Sequence, residues 1–169
     1  MTRDTAIAKA ADHFDSGAFF EDLSRRVAIR SSAQVRELRP ELERYLVEEM
    51  TPMLEGLGFT VAIHANPDPR GGPFLVAERM ENPNLPTLLS YGHGDVVRGF
   101  EGDWREDRDP WSMVKGGAGE AERWYGRGTA DNKGQHSVNL AALASVLAVR
   151  GRLGFNCKIL LEMSEEVGS

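Results

Sequence analysis

Apolar residues near the start of the chain recur at helical spacing. The segment over residues 16–29, SGAFFEDLSRRVAI, opens with Ser16, a residue type that caps helix N-termini, and its apolar positions lie three or four residues apart. A second stripe, of Leu and Met, runs over residues 35–57 with the same period. The pattern predicts two helices packed into a core, the second bent or interrupted at Pro40 and Pro52.

Short apolar runs typical of strands follow at residues 59–63, 74–80 and 87–97, separated by turn-rich segments. The third run, TLLSYGHGDVV, is apolar at first and then abruptly polar. Such a change is expected of a buried strand whose far end emerges into a cleft. Residues 98–123 form a long irregular stretch with a predicted small hairpin around residues 116–119. Loops of this length in compact domains are typically functional or mobile.

The pattern becomes helical again in HSVNLAALASVLAVRG, which ends at Gly151, a residue type that stops helices. The next run, NCKILLEMSEE, predicts a buried strand that ends in acidic residues. Two helices, three strands, a helix and a further strand indicate an α/β domain. Because several runs are apolar on both faces, we expect a helix–sheet–helix sandwich, with helices on both sides of the sheet.

Composition narrows the function classes. The 169 residues are 41% apolar and 27% charged, as in a single soluble domain, and the net charge of -6 argues against a nucleic-acid binder. No stretch approaches the ~20 apolar residues of a membrane span, and the first fifteen residues are charged throughout, unlike a signal peptide. The one cysteine, Cys157, is expected to be a buried, inert thiol. These features predict a cytoplasmic enzyme or module without nucleic-acid or membrane partners.

Three polar clusters each lie where a predicted buried element ends or begins. They are HGD at residues 93–95, DNKG at residues 131–134 and the pair EE at residues 165–166. In open α/β sheets, sites form where the carboxyl ends of strands deliver side chains into a crevice. Imidazole and carboxylate are ligands that divalent ions accept. The three clusters together therefore favour a metal site.

His93 and Asp95 point to the same face if the backbone is extended, because alternate side chains of a strand share a face. A histidine that binds metal normally donates its other ring N–H to a neighbouring group such as a carboxylate, and Asp95 is placed to accept it. The alternative is a surface histidine beside a carboxylate, without any metal. Spacing alone leaves both interpretations open.

Asp131 follows two glycines in GRGTADNKG, which permit an unusual backbone path that turns its carboxylate inward. The alternative is that Asp131 is the N-cap of the following helix. The order of residues matches neither of the glycine-rich phosphate-binding motifs. The other histidines are interpreted as non-ligands: His136 within the helix, and His13 and His64 on the surface.

Glu165 and Glu166 are adjacent, so in a strand they would face opposite sides. Near a strand end or turn both reach one site, and their roles would then divide. One carboxylate would bind metal, while the other would take a proton from water and pass it to the leaving amine. The alternative is a solvated acidic end of a strand.

Together, YGHGDVV, WYGRGTADNKGQ and SEEVGS resemble the three ordered signatures of the M20 family of metallopeptidases and amidohydrolases, over residues 87–169. This family includes acetylornithine deacetylase, succinyl-diaminopimelate desuccinylase, carboxypeptidase G and carnosinase-type dipeptidases. The resemblance implies a zinc-dependent exopeptidase-like catalytic domain with a central mixed sheet. It also implies two zinc ions, for which cobalt or manganese can substitute.

The resemblance carries over to individual residues. His93 and Glu166 would each bind one metal ion, Asp131 would bridge the two, and the peptide bond after Asp131 would be cis. Glu165 would be the general base, and Asp95 would support His93. The implied reaction is hydrolysis of an amide bond in a dipeptide or N-acyl amino acid by metal-activated water. The variant GRGTADNKGQ favours the dipeptidase and carboxypeptidase branch.

The family adds a further acidic ligand, a histidine near its C-terminus and a smaller lid domain that often dimerises. The sequence stops at Ser169, three residues after Glu166. We therefore expect residues 1–169 to be the N-terminal portion of a truncated catalytic domain, inactive alone, from a parent that forms a homodimer. The alternative function is a non-catalytic binding or interaction module that retains the fold. A single-metal hydrolase is a third hypothesis, although the H-E-x-x-H motif is absent.

Overall fold

The computed structural model describes residues 2–105 and 108–169. Its α-helices are α1 (Arg3–Asp15), α2 (Ala18–Ala28), α3 (Arg39–Arg44), α4 (Thr51–Gly56) and α5 (Lys133–Arg150). Its strands are β1 (Thr60–His64), β2 (Phe74–Arg79), β3 (Thr87–His93), β4 (Val114–Gly116), β5 (Arg123–Tyr125) and β6 (Asn156–Glu162). Among the helices that the structure describes, none has the length and apolar character needed to cross a membrane.

Helix α1 is not among the predicted elements. None of its side chains is buried, so the segment lacks the apolar stripe from which amphipathic helices are predicted. It begins after the N-cap Thr2, whose hydroxyl oxygen accepts the main-chain N–H of Thr5. Its alanine-rich composition also favours a helix. The cap and the alanines were therefore the available sequence signals.

The helix predicted over residues 35–57 is present as a series of helical segments. A 3-10 turn leads into α3, and the π-helical stretch Tyr45–Met50 joins α3 to α4. Pro40 lies in the first turn of α3, where the N–H that proline lacks has no intrahelical partner. Pro52 lies just after the π-helical stretch, where the main-chain N–H of Thr51 donates to the carbonyl of Leu46 and the helical path continues into α4. The prolines therefore divide this stretch without ending it.

The central sheet has four strands in the order β1-β2-β6-β3. β3 runs parallel to β6, whereas β2 runs antiparallel to both β1 and β6. The predicted α/β class with a central mixed sheet is confirmed. The strand predicted over residues 87–97 ends earlier, at His93, because the next residues turn to form hydrogen bonds with other segments, such as that of Val96 N–H to the Ser31 carbonyl.

The long stretch over residues 98–123 contains short 3-10 turns and the first arm of a two-stranded hairpin. β4 and β5 form this hairpin, with Val114 paired to Tyr125. The small hairpin predicted here is therefore present. Residues 106–107 of the stretch lie outside the described residues.

The helices pack against one face of the central sheet, and α1 and α2 lie against α5. The core between helices and sheet is formed mainly by Leu42, Leu46, Met50, Leu54, Leu75, Ala77, Leu140, Ile159 and Leu161. On the opposite face, Leu89 and Tyr91 of β3 lie beside Lys158 and Leu160 of β6. Leu89 and Tyr91 are 68% and 50% exposed. The described part of the chain thus leaves apolar surface open on this face.

The carboxyl ends of β3 and β6 lie side by side, with His93 opposite Glu162. Helix α5 precedes β6 in the sequence and begins at the same edge, where the side chain of its N-cap, Asn132, accepts the main-chain N–H of His93. Three loops therefore meet at this edge, at the carboxyl ends of parallel strands, which is where α/β sheets place their sites.

Candidate metal centre

His93 is the last residue of β3 and is 4% exposed, with both ring nitrogens engaged. Nδ1 lies 3.0 Å from the main-chain oxygen of Asp95 and 3.4 Å from its Oδ1. Nε2 lies 3.2 Å from Oδ1 of Asp131. Burial lowers the pKa of His93, but the hydrogen bonds to Asp95 outweigh this effect and raise the pKa to about 9. With Nδ1 donating to Asp95, Nε2 is directed at the acidic groups of the cleft.

Asp95 is fully buried and joins two parts of the site. Its carboxylate oxygens accept the main-chain N–H of Glu165 at 3.3 Å and of Glu166 at 3.1 Å. These contacts cap the 3-10 turn Glu165–Val167, because an anion is stabilised where several main-chain N–H groups point outward. Asp95 therefore holds the glutamate turn as well as the imidazole of His93.

Asp131 lies in the loop before α5, and its side chain is 71% exposed. Gly128 in this loop has φ +85°, a left-handed conformation that glycine adopts readily. The peptide bond between Asp131 and Asn132 is cis. The N-cap of α5 is Asn132 rather than Asp131, and the carboxylate of Asp131 faces Nε2 of His93.

Glu165 and Glu166 lie in the 3-10 turn after β6 rather than in the strand. The alternation of a strand therefore does not separate them, and both reach the cleft. His93, Glu165 and Glu166 each offer one ligand atom, and these atoms lie within 4.8 Å of one another. Gln34 fixes the far side of the turn by donating a 3.2 Å hydrogen bond to the carbonyl of Glu166.

The charges of the cleft favour a cation. Burial raises the pKa of Glu166, the charge of Asp131 raises it further, and His93 acts in the opposite direction. Several carboxylates thus crowd one imidazole, and a divalent ion would relieve their repulsion. One histidine with carboxylates suits zinc, and manganese or cobalt can also accept these ligands. The donor set of this cleft therefore fits a divalent metal ion.

The predicted site residues His93, Asp95, Asp131, Glu165 and Glu166 all lie at this one edge of the sheet. The tightest group of ligand atoms differs in one member from the predicted ligand set. It contains Glu165, whereas Asp131 lies beside His93 but outside that group.

A buried polar chain behind the cleft was missed at the level of sequence. Oδ1 of Asn132 accepts the main-chain N–H of His93 and lies 3.2 Å from Nδ1 of His136. Nε2 of His136 is 2.6 Å from the hydroxyl of Tyr45. Burial lowers the pKa of His136 to about 3, so the ring is neutral. Asn132 stands within the motif DNKG and was accessible to sequence reasoning, but Tyr45 gives no local signal.

The remaining candidate groups have other partners. Nε2 of His13 lies 3.1 Å from Oδ2 of Asp22, and His64 stacks on Phe74. Cys157 is buried, and burial raises the pKa of its thiol. Within the part of the chain that the structure describes, the group of His93, Glu165 and Glu166 is the one in which three or more metal donors come together.

The chain is similar in sequence to known peptidases. Residues 89–169 match the sequence profile of peptidase family M20/M25/M40. The Beta-Ala-His dipeptidase of Homo sapiens is 33% identical over 162 residues, which cover 89% of this chain and 31% of that protein. The cysteinylglycine-S-conjugate dipeptidase of Corynebacterium striatum is 31% identical over 150 residues, or 88% of this chain and 31% of that protein.

The fold is similar as well. The crystal structure of human carnosine dipeptidase 1 superposes with a TM-score of 0.85 and 29% sequence identity, covering 98% of this chain and 35% of that structure. The chain therefore spans about a third of the length of the proteins it matches. The sequence profile, the relatives and the fold agree, and the chain belongs to peptidase family M20/M25/M40.

Proposed function

We propose that the chain forms the N-terminal part of the catalytic site of a two-metal hydrolase that cleaves an amide bond in a dipeptide or N-acyl amino acid. One observation carries the proposal. Ligand atoms of His93, Glu165 and Glu166 lie within 4.8 Å of one another at the carboxyl ends of two parallel strands, and Asp131 lies 3.2 Å from His93.

Each residue has a separate role in this proposal. His93 and Glu166 hold one divalent ion each, zinc in the first instance, and Asp131 contacts both. When bound, the ions lower the pKa of water and polarise the carbonyl oxygen of the amide. Glu165 takes the proton of the attacking water and delivers it to the leaving amine. Asp95 accepts a hydrogen bond from the Nδ1–H of His93, which leaves Nε2 of His93 to bind the metal.

The relatives support the substrate class. Two of them carry the name dipeptidase, for Beta-Ala-His and for cysteinylglycine S-conjugates. We therefore place dipeptides before N-acyl amino acids as substrates. The non-catalytic binding module has no specific observation in its favour. The cytoplasmic location and the homodimer of the intact protein stay predictions.

We further propose that residues 1–169 are the N-terminal portion of the catalytic domain. A catalytic zinc normally has three protein ligands and a water. His93, Asp131 and Glu166 give each of two ions only two ligands, even with Asp131 shared. Further ligands from a longer chain are therefore needed. Residues 1–169 alone are expected to bind zinc weakly and to hydrolyse no dipeptide.

Zinc titration of residues 1–169 by calorimetry tests the site. Wild type should bind zinc weakly, and His93→Ala and Glu166→Ala should abolish this binding. His13→Ala is the matched control, because this histidine pairs with Asp22 in the helical layer. Loss of binding in His13→Ala, or unchanged binding in His93→Ala, would contradict the site.

The intact protein tests the reaction. It should bind about two zinc ions per chain and hydrolyse members of a panel of dipeptides and N-acyl amino acids. Full metal content without hydrolysis of any amide in the panel would favour the binding module. Sub-micromolar binding of two ions with turnover by residues 1–169 alone would contradict the proposed incompleteness.

A further inference from the structure

We infer that His136 is a positioning residue for the metal centre. Its Nδ1 donates a hydrogen bond to Asn132, and this bond fixes His93 relative to Asp131. The inference rests on the proposed function, because it concerns the geometry of the same site. His136 is 3% exposed and lies on α5, behind the cleft. Its two ring nitrogens contact Asn132 and Tyr45.

The partners of Asn132 determine the direction of each hydrogen bond. Nδ2 of Asn132 donates to Oε1 of Gln135 at 2.6 Å. Oδ1 of Asn132 accepts the main-chain N–H of His93 at 3.2 Å. The same oxygen lies 3.2 Å from Nδ1 of His136, so Nδ1 must carry the proton and donate. Nε2 then accepts the hydroxyl of Tyr45 at 2.6 Å.

Burial makes this arrangement rigid. Tyr45 is fully buried, and burial raises the pKa of its phenol, so the hydroxyl stays protonated as a donor. Neither Tyr45 nor His136 can exchange its partner for bulk water. The order Tyr45 to His136 to Asn132 is therefore the arrangement in which each of these polar groups has a partner.

The end of β3 is shaped to admit this chain of side chains. A Cβ atom at Gly92 would lie 3.0 Å from Oδ1 of Asn132 and 3.1 Å from Cβ of His136. A Cβ atom at Gly94 would clash with the ring of Tyr45 at 2.5 Å. The two glycines that flank His93 thus let the three side chains pack directly against its backbone.

The carboxamide of Asn132 connects two predicted ligands. It follows Asp131 in the chain and receives the main-chain N–H of His93. Without the donor from His136, this carboxamide loses one of its three side-chain hydrogen bonds, the one that comes from the buried side of the cleft. Because Asn132 holds the backbone of His93 and follows Asp131 directly, the 3.2 Å distance between His93 Nε2 and Asp131 Oδ1 would then be less firmly fixed. Outer partners of metal ligands act in this way in metalloproteins.

The first test uses wild-type protein without metal. Nitrogen-15 NMR of the imidazole rings reports which nitrogen of His136 carries the proton. We expect a neutral ring with the proton on Nδ1. A neutral ring with the proton on Nε2 would overturn the inference, because Nδ1 would then be unable to donate to Asn132. The result depends neither on zinc binding nor on any substitution.

The second test compares His136→Asn with His136→Gln. The side-chain nitrogen of asparagine occupies the place of Nδ1 and keeps the donor to Asn132, whereas that of glutamine occupies the place of Nε2. We expect His136→Asn to bind zinc nearly as wild type does. We expect His136→Gln to bind about tenfold more weakly, the lower end of the range for a lost outer partner of a metal ligand, because His136 acts on His93 through Asn132.

A merely space-filling His136 predicts the opposite order, because glutamine is closer to histidine in volume. Val149→Ala, a buried change farther along α5, controls for loss of stability and should leave zinc affinity unchanged. Equal affinities of the two His136 variants would overturn the inference alone. Absence of zinc binding in wild type would overturn the proposed function and this inference with it.

Discussion

Asp95 and Glu166 are joined by a hydrogen bond in which a carboxylate oxygen of Asp95 accepts the main-chain N–H of Glu166 at 3.1 Å. The other oxygen accepts the N–H of Glu165 at 3.3 Å and lies 3.4 Å from Nδ1 of His93. Asp95 is fully buried, so water does not replace these partners. One side chain thus sets the positions of the imidazole and of both glutamates.

Asp95→Asn is expected to lower the free energy of unfolding by about 1–3 kcal/mol, because asparagine has one acceptor oxygen and its buried NH2 group then faces one of the two main-chain N–H groups that the carboxylate accepts. Zinc affinity should fall by about ten- to a hundredfold. Urea unfolding and zinc titration measure the two effects. Asp12→Asn, an exposed carboxylate on α1, is the control and should change neither. Wild-type zinc affinity in Asp95→Asn would show that this carboxylate does not position the ligands.

If the proposed reaction is right, Glu165→Gln in the intact protein should nearly abolish kcat and leave the zinc content unchanged. An amide has almost the shape of the carboxylate but cannot take a proton from water. Glu166→Gln, its neighbour in the same turn, should instead lose zinc and turnover together. Steady-state kinetics with metal analysis separates the two. A normal kcat in Glu165→Gln would exclude this residue as the base.

Lys133→Met is expected to reduce the free energy of unfolding by about 1–3 kcal/mol. The buried Nζ donates to the carbonyls of Arg26 at 2.9 Å and Ile29 at 2.7 Å, where α2 ends. Methionine has a similar length but no donor, so both carbonyls lose a partner. Lys158→Met, in an exposed pair with Glu78, is the matched control for the loss of a charge. Equal unfolding curves for the two variants would contradict this role.

Residues 1–169 alone are expected to self-associate through β3. Of the two edge strands of the described central sheet, β1 and β3, it is β3 that carries the 68% exposed Leu89. Open edges with apolar residues promote association. Leu89→Glu places a charge opposite Lys158 and should shift the protein to monomer in sedimentation velocity. Ile7→Glu, an exposed apolar position on α1, should leave the association unchanged; monomeric wild type would contradict the prediction.

Sequence reasoning succeeded where a pattern is local. The Leu and Met stripe of residues 35–57 predicted the helical segments because buried positions such as Leu46 and Met50 repeat with the helical period. The polar residues at the ends of two predicted strands indicated that both strands deliver side chains to one edge of the sheet. In the structure β3 and β6 are parallel neighbours, which places residue 93 beside residue 162 at that edge.

The remaining features depend on contacts between distant residues. The hydrogen bond between Tyr45 and His136 joins residues 91 positions apart, and the hydrophobic pattern of neither helical segment predicts it. The shared approach of Glu165 and Glu166 depends on a turn that Asp95 caps from another loop. Such features follow from tertiary hydrogen bonds, which a single sequence does not display.

The position of β6 in the sheet determines when the cleft can form. β6 is the last of the described strands along the chain, yet it lies between β2 and β3, and each of these pairs with it. On the ribosome, the β1–β2 hairpin and β3 therefore have no common partner until residues 156–162 have been synthesised. Until then, His93 and the glutamate turn have no fixed distance, so metal capture has to follow translation of the whole segment.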